Sequence, residues 1–157
     1  MKIALGSDPN AAELKGGVSE ELVELGFEVH DLGSDDPVYA NVVINVAERV
    51  VAGEFDRGIV MCGTGIGASI AANKVVGAYC ALVTTEFQAE RAALSNNANL
   101  IAMGQQITAV MAARRFVRIW LRESDRFDPN GRSGVKVRRI SEYEKRRLLQ
   151  VGREENR

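Results

Sequence analysis

Five short apolar runs alternate with stretches of helical spacing along this chain, and that alternation restricts the fold more than any other feature. The runs occupy residues 2–6, 27–32, 57–62, 78–83 and 100–104. Runs of four to eight apolar residues separated by helices predict βαβ units and a parallel sheet covered on both faces. Between the runs, residues 12–25 carry Leu14, Val18, Leu22 and Leu25 at helical spacing despite Gly16 and Gly17. The next helix follows Pro37 and runs through Val42, Val43, Val46, Val50 and Val51 to a terminator at Gly53. Residues 86–94 and 107–121 supply two more helices, the second with Val110, Met111, Phe116, Val117, Trp120 and Leu121 apolar. A turn-rich connection at 127–132 leads to an extended piece, a charged helix from Ser141, and a disordered end at 153–157. The expectation is an α/β, three-layer, Rossmann-like doubly wound fold whose five-stranded parallel sheet has the order 2-1-3-4-5.

At 157 residues the chain is expected to form one domain, 1–157, with residues 127–157 as a C-terminal arm. It opens directly on a strand-like run, and neither a signal peptide nor a membrane-length apolar run is evident, so a cytoplasmic protein is expected. Cys62 and Cys80 show no metal-ligand spacing, which fits a reducing compartment and predicts no metal. His30 is the only histidine, so any mechanism that needs two histidines from one chain is excluded. Charge divides along the chain. Residues 1–104 hold 14 acids against 6 bases, whereas residues 105–157 hold 7 acids against 14 bases. The bases are spread over helix-like sequence with few aromatics, which speaks against nucleic acid. Opposite halves of this kind predict a homodimer in which the basic C-terminal segment reaches across its partner.

Chemistry concentrates at Met61-Cys62-Gly63-Thr64-Gly65-Ile66-Gly67, where the third strand turns into a helix. Alternating glycines leave backbone N–H groups free to face a ligand, and a helix start favours anions. A cysteine in such a place tends towards thiolate. In a doubly wound sheet the ligand lies beyond the carboxyl ends of the strands. The first strand ends at Gly6-Ser7-Asp8, so Asp8 and Cys62 are expected to face one crevice.

Cys62-Gly63-Thr64-Gly65-Ile66-Gly67, continued by Ser69-Ile70-Ala71-Ala72-Asn73-Lys74-Val75, closely resembles the signature of the ribose-5-phosphate isomerase B / galactose-6-phosphate isomerase family. Further matches are Ile3 to Asp8 with Glu13-Leu14-Lys15, Gly53 to Gly58, Asn96-Asn97-Ala98-Asn99 and Gly131-Arg132. The resemblance implies an aldose–ketose isomerase that works through an enediolate with neither metal nor cofactor. It implies Cys62 as the base, with Thr64 and the amides of Gly63, Gly65 and Gly67 stabilising the oxyanion. Asp8 and Tyr39 match positions that contact substrate hydroxyls, and Asn96 one near the carbonyl. Arg132, and Lys136 in place of a second arginine, match phosphate-binding positions supplied by the partner subunit.

Several positions depart from that pattern. Pro9, Thr84-Thr85 and Ser95 stand where the resemblance implies histidine or a His-Asp pair, and Gln106 stands where it implies a phosphate-site arginine. No imidazole is left to open a sugar ring. A tetrose 4-phosphate cannot close a furanose, because its terminal hydroxyl is esterified, and 90–98 and 127–133 resemble the erythrulose-phosphate isomerase branch. The expected substrate is therefore a short or open-chain sugar phosphate such as D-erythrulose 4-phosphate. Ribose 5-phosphate, another sugar derivative, and a non-catalytic sugar-phosphate-binding subunit of the same fold are the alternatives. A dinucleotide-binding module is disfavoured, because no Gly-x-Gly-x-x-Gly follows the first strand.

Overall fold

Successive residues of a strand point to opposite faces, and the central strands use this to feed two separate cores. The computed structural model describes residues 1–33 and 35–154, the side chains of 152–154 apart. The strands are β1 (Lys2–Ser7), β2 (Glu28–Asp31), β3 (Arg57–Cys62), β4 (Cys80–Leu82) and β5 (Leu100–Gly104). Ile3, Leu5, Ile59, Met61, Ile101 and Met103 pack on one face with α1 (Ala12–Glu24), α4 (Glu86–Leu94) and α5 (Val110–Glu123). Ala4, Val60, Cys62, Leu100 and Ala102 pack on the other with α2 (Tyr39–Val51) and α3 (Ile66–Ala72). The result is the expected three-layer fold around a five-stranded parallel sheet.

The strand order is β2-β1-β3-β5-β4, so the last two strands exchange places relative to the expected 2-1-3-4-5. Burial explains the exchange. All five residues of β5 are buried and require neighbours on both sides, whereas β4 is three residues long with Ala81 and Leu82 partly exposed. A short strand suits an edge, where unpaired backbone groups face outward. The sheet thus keeps its most apolar strand inside, and Cys62 lies level with Gly104 across the β3–β5 ladder.

The C-terminal region also differs from expectation. In place of an extended piece and a helix from Ser141, one helix, α6, runs over Gly134–Glu154. Arg153 and Glu154, expected to be disordered, continue it, and 155–157 lie outside the described residues. The helix touches its own chain, with Glu144 Oε2 accepting from the Gly77 amide at 3.1 Å.

One ion cluster joins the two largest helices of the first face. Glu21 of α1, 1% exposed, takes Arg114 Nε at 2.8 Å and Arg118 Nε at 2.8 Å from α5. Burial opposes ionisation of Glu21, but hydrogen bonds and charge from Arg114 and Arg118 outweigh it and hold the carboxyl below the usual range. Among the described residues no helix is long and apolar enough to cross a membrane.

Candidate active site

The turn after β3 is shaped by what lies beneath it. Gly65 has φ +78°, and a Cβ there would lie 2.7 Å from the carbonyl carbon of Met103 and 2.9 Å from the Gly104 amide. Only glycine combines that left-handed backbone with so close an approach to β5. Two residues on, a Cβ at Gly67 would collide with the Tyr39 hydroxyl and ring, so this glycine makes room for a side chain of α2. The glycines therefore do more than expose amides: they press the turn onto β5 and bring Tyr39 against it.

Hydrogen bonds then hold the turn. The Gly65 amide donates to Cys62 Sγ at 3.2 Å. The Ile66 amide donates to Thr64 Oγ1 at 3.4 Å, which leaves the threonine O–H proton free to donate elsewhere. From the end of β5, the amides of Gln105 and Gln106 donate to the carbonyls of Cys62 at 3.1 Å and Gly63 at 2.9 Å. Gln105 Oε1 in turn accepts from the Leu14 amide at 3.1 Å, tying the same corner to α1.

A cavity of about 510 Å³ opens on this turn, lined by Asp8, Tyr39, Cys62, Gly63, Thr64, Ile66, Gly67, Ile70 and Gln106. Asp8 and Cys62 meet here because β1 and β3 are paired neighbours. Asp8 is 3% exposed; its Oδ2 accepts from Asn10 at 3.3 Å, and its buried Oδ1 has no partner among the described residues. A buried carboxylate oxygen without a donor is costly, and a hydroxyl entering the cavity would satisfy it. Gln106 lines the cavity, and the Ile66–Ile70 pair are lining residues that sequence reasoning did not place there. The four-residue spacing of the isoleucines at the head of α3 was the available signal. Among the described residues no group of His, Cys, Asp and Glu gathers to hold a metal.

Three expected site residues lie elsewhere. Asn96 follows α4 and precedes β5, and it lines a hollow with Asn73, Tyr79, Cys80, Ala81, Ala98 and Ile140. Asn96 is not among the residues that line the cavity at Cys62. Arg132 precedes α6 and Lys136 lies in its first turn, and neither lines the cavity. Thr84 and Thr85 have a local role: Thr85 Oγ1 accepts from the Gln88 amide at 3.1 Å, while Gln88 Oε1 accepts from the Thr84 amide and hydroxyl at 2.8 and 2.9 Å. That reciprocal cap starts α4, and β5 stands between it and Cys62. His30 lies on edge strand β2, its ring 2.8 Å from Glu28 and tilted at 57° to the Phe55 ring with centroids 5.1 Å apart.

Known proteins share both this sequence and this architecture. The family model described as Ribose/Galactose Isomerase matches residues 3–140. The chain is 40% identical over 152 residues to YwlF of Bacillus subtilis (strain 168), covering 94% of this chain and 100% of that one. It is 36% identical over 150 residues to the D-erythrulose-4-phosphate isomerase 2 of Mycolicibacterium smegmatis, covering 92% of this chain and 97% of that one. Ribose-5-phosphate isomerase B of Clostridium thermocellum superposes with a TM-score of 0.86 at 39% identity, covering 93% of this chain and 99% of that one.

Proposed function

We propose a function on the premise that this chain belongs to the Ribose/Galactose Isomerase family. It is an aldose–ketose sugar-phosphate isomerase, and its finer chemistry is read here from the cavity. The observation that carries the reading is the convergence of Cys62, Thr64, Tyr39 and a buried Asp8 with an unpartnered oxygen on one cavity. In this reading Asp8 and Tyr39 bind hydroxyls of the open-chain sugar. Cys62, as thiolate, takes the proton from the carbon beside the carbonyl. The electron pair left behind forms the enediolate, whose charge falls on oxygen and is met by the Thr64 hydroxyl and by amides of the Gly63–Gly67 turn. The hydroxyl proton passes from one enediolate oxygen to the other and the same sulfur returns its proton to the neighbouring carbon, so nothing is gained or lost and no redox partner enters.

The substrate reading favours a tetrose phosphate such as D-erythrulose 4-phosphate. His30 and Thr84-Thr85 are engaged away from the cavity, so no imidazole of this chain is placed to protonate a ring oxygen. A tetrose 4-phosphate needs no such acid. The similarity to the M. smegmatis D-erythrulose-4-phosphate isomerase 2 supports this reading, and the likeness to C. thermocellum ribose-5-phosphate isomerase B makes ribose 5-phosphate the second candidate.

The phosphate also needs cations. Among the described residues, Asp8 is the only charged one lining the cavity. We read Arg132, Lys136 and Asn96 as contributions from a second copy, with residues 127–157 acting as the dimer arm of a single-domain, cytoplasmic enzyme. None of the three lines the cavity of its own chain, which supports that arrangement. The test is deuterium exchange from solvent into D-erythrulose 4-phosphate and ribose 5-phosphate, followed by NMR. Faster exchange into the tetrose is expected. Exchange into ribose 5-phosphate alone would reverse the substrate order, and exchange into neither would leave a non-catalytic sugar-phosphate-binding subunit.

A further inference from the structure

We propose that Lys15 is a positioning residue: its buried ammonium, acting through Asp31 and Gly33, holds α2 so that Tyr39 faces the Cys62 turn at the separation the sugar requires. The inference rests on the isomerase reading above and adds what sets the spacing of the cavity walls.

The first turn of α1 is tied towards both walls. On one side the Leu14 amide donates to Gln105 Oε1 at 3.1 Å, and the Gln105 amide donates to the Cys62 carbonyl at 3.1 Å. On the other, Lys15 Nζ donates to Asp31 Oδ1 and to the Gly33 carbonyl, both at 2.8 Å. Asp31 Oδ1 also accepts from the Gly33 amide at 3.1 Å, so both backbone polar groups of Gly33 are held. Gly33 meets α2 through space: a Cβ there would lie 3.6 Å from both Cγ atoms of Val42. Val42 stands one turn after Tyr39, whose ring lies against Gly67. The start of α2 is otherwise closed by local bonds. Val38 provides no side-chain cap, and Asp36 accepts from the Val38 amide at 2.7 Å and Asn41 Nδ2 at 2.9 Å.

Burial separates this role from ligand binding and from simple stability. The Lys15 side chain is 8% exposed, against 52% for Asp31, and Lys15 does not line the cavity. A lysine is buried only when paired, so its ammonium is committed to the clamp. Removing it leaves Asp31 a carboxylate that water can reach, which avoids the penalty of an unpaired buried charge. Methionine at this position keeps an apolar stem and loses only the clamp.

The experiment compares wild type, Lys15→Met, Tyr39→Phe and the double variant. It measures kcat and KM on whichever of D-erythrulose 4-phosphate and ribose 5-phosphate the wild type turns over faster, and thermal melting confirms folding. Lys15→Met is expected to raise KM about tenfold, the scale of one lost hydrogen bond to the sugar. Its kcat should stay within about threefold, because Cys62 and its turn keep their own bonds. In the Tyr39→Phe background the same change should raise KM by less than about twofold, since the hydroxyl it positions is already gone. Asp31→Asn weakens the clamp from its exposed end and should raise KM about threefold; it decides the matter if Lys15→Met does not fold. A lower melting temperature with unchanged KM, or KM increases that multiply in the double variant, overturns the inference and leaves the isomerase reading standing. An unchanged KM in Asp31→Asn, where Lys15→Met does not fold, does the same. A wild-type enzyme inactive on both sugars overturns both.

Discussion

The Gly65 amide donates its hydrogen bond to Cys62 Sγ at 3.2 Å, so the left-handed glycine that presses the turn onto β5 is also the residue that orients the thiol. Two consequences can be separated. Cys62→Ala removes the proposed base while preserving the fold, and should lower kcat by about 10²- to 10⁴-fold with an unchanged melting temperature. Gly65→Ala forces a Cβ into the Met103–Gly104 backbone and should cost more than ~2 kcal/mol of stability as well as activity. Denaturant unfolding beside steady-state kinetics distinguishes them. A stable, active Gly65→Ala would contradict the geometry.

Gly67 and Tyr39 make a second pair. A methyl group at Gly67 must displace the Tyr39 ring, so Gly67→Ala and Tyr39→Phe should both raise KM, and the double variant should be little worse than Gly67→Ala alone. Additive losses would show that the two act independently.

The two thiols should react differently. Burial pushes the Cys80 thiol up to about 12, so at pH 8 only about one molecule in 10⁴ carries it as thiolate. Iodoacetamide at that pH should label Cys62 alone, and sugar phosphate should slow the labelling. Mass spectrometry showing the Cys80 peptide modified first would refute this.

Stability should fall in acid through Glu21. Its carboxyl is held below the usual range in the folded state, so the stabilisation it provides is complete above the unfolded value of roughly 4.3 and disappears as pH drops through the lower folded value. Glu21→Gln should cost about 2 kcal/mol at pH 7, as hydrogen bonds to a buried charged group do. The gap to wild type should narrow below about pH 4 in urea unfolding. A gap independent of pH would mean that the Arg114 and Arg118 contacts contribute packing only.

If a second copy completes the site, Cys62→Ala and Arg132→Ala chains are each inactive alone but should recover on mixing. Random exchange gives half heterodimers with one intact site each, so about a quarter of wild-type activity should return. No recovery after confirmed subunit exchange would mean that one chain supplies both residues of a site.

Much of the architecture was legible from pattern alone. The bounds of β3, β5 and α4 follow from apolar runs and helical spacing, because those signals are local. The pairing of β1 with β3 was legible too, and it brings Asp8 to Cys62. Elsewhere local signals were ambiguous. Gly134 and the charged residues after it read as loop and strand, yet they begin a 21-residue helix, stabilised by contacts such as Glu144 to the Gly77 amide that lie 67 residues apart in the chain.

The sequence by itself determined the βα rhythm, the glycine turn with its thiol and the family to which the chain belongs, since each is written in consecutive residues. Only the tertiary structure decided that β5 sits inside β4, that Thr84 and Thr85 are a helix cap one strand removed from the thiol, and that Asn96 lines a different hollow from Cys62. Those outcomes depend on which strand loses most by remaining exposed, a comparison among distant segments that no single stretch of sequence contains.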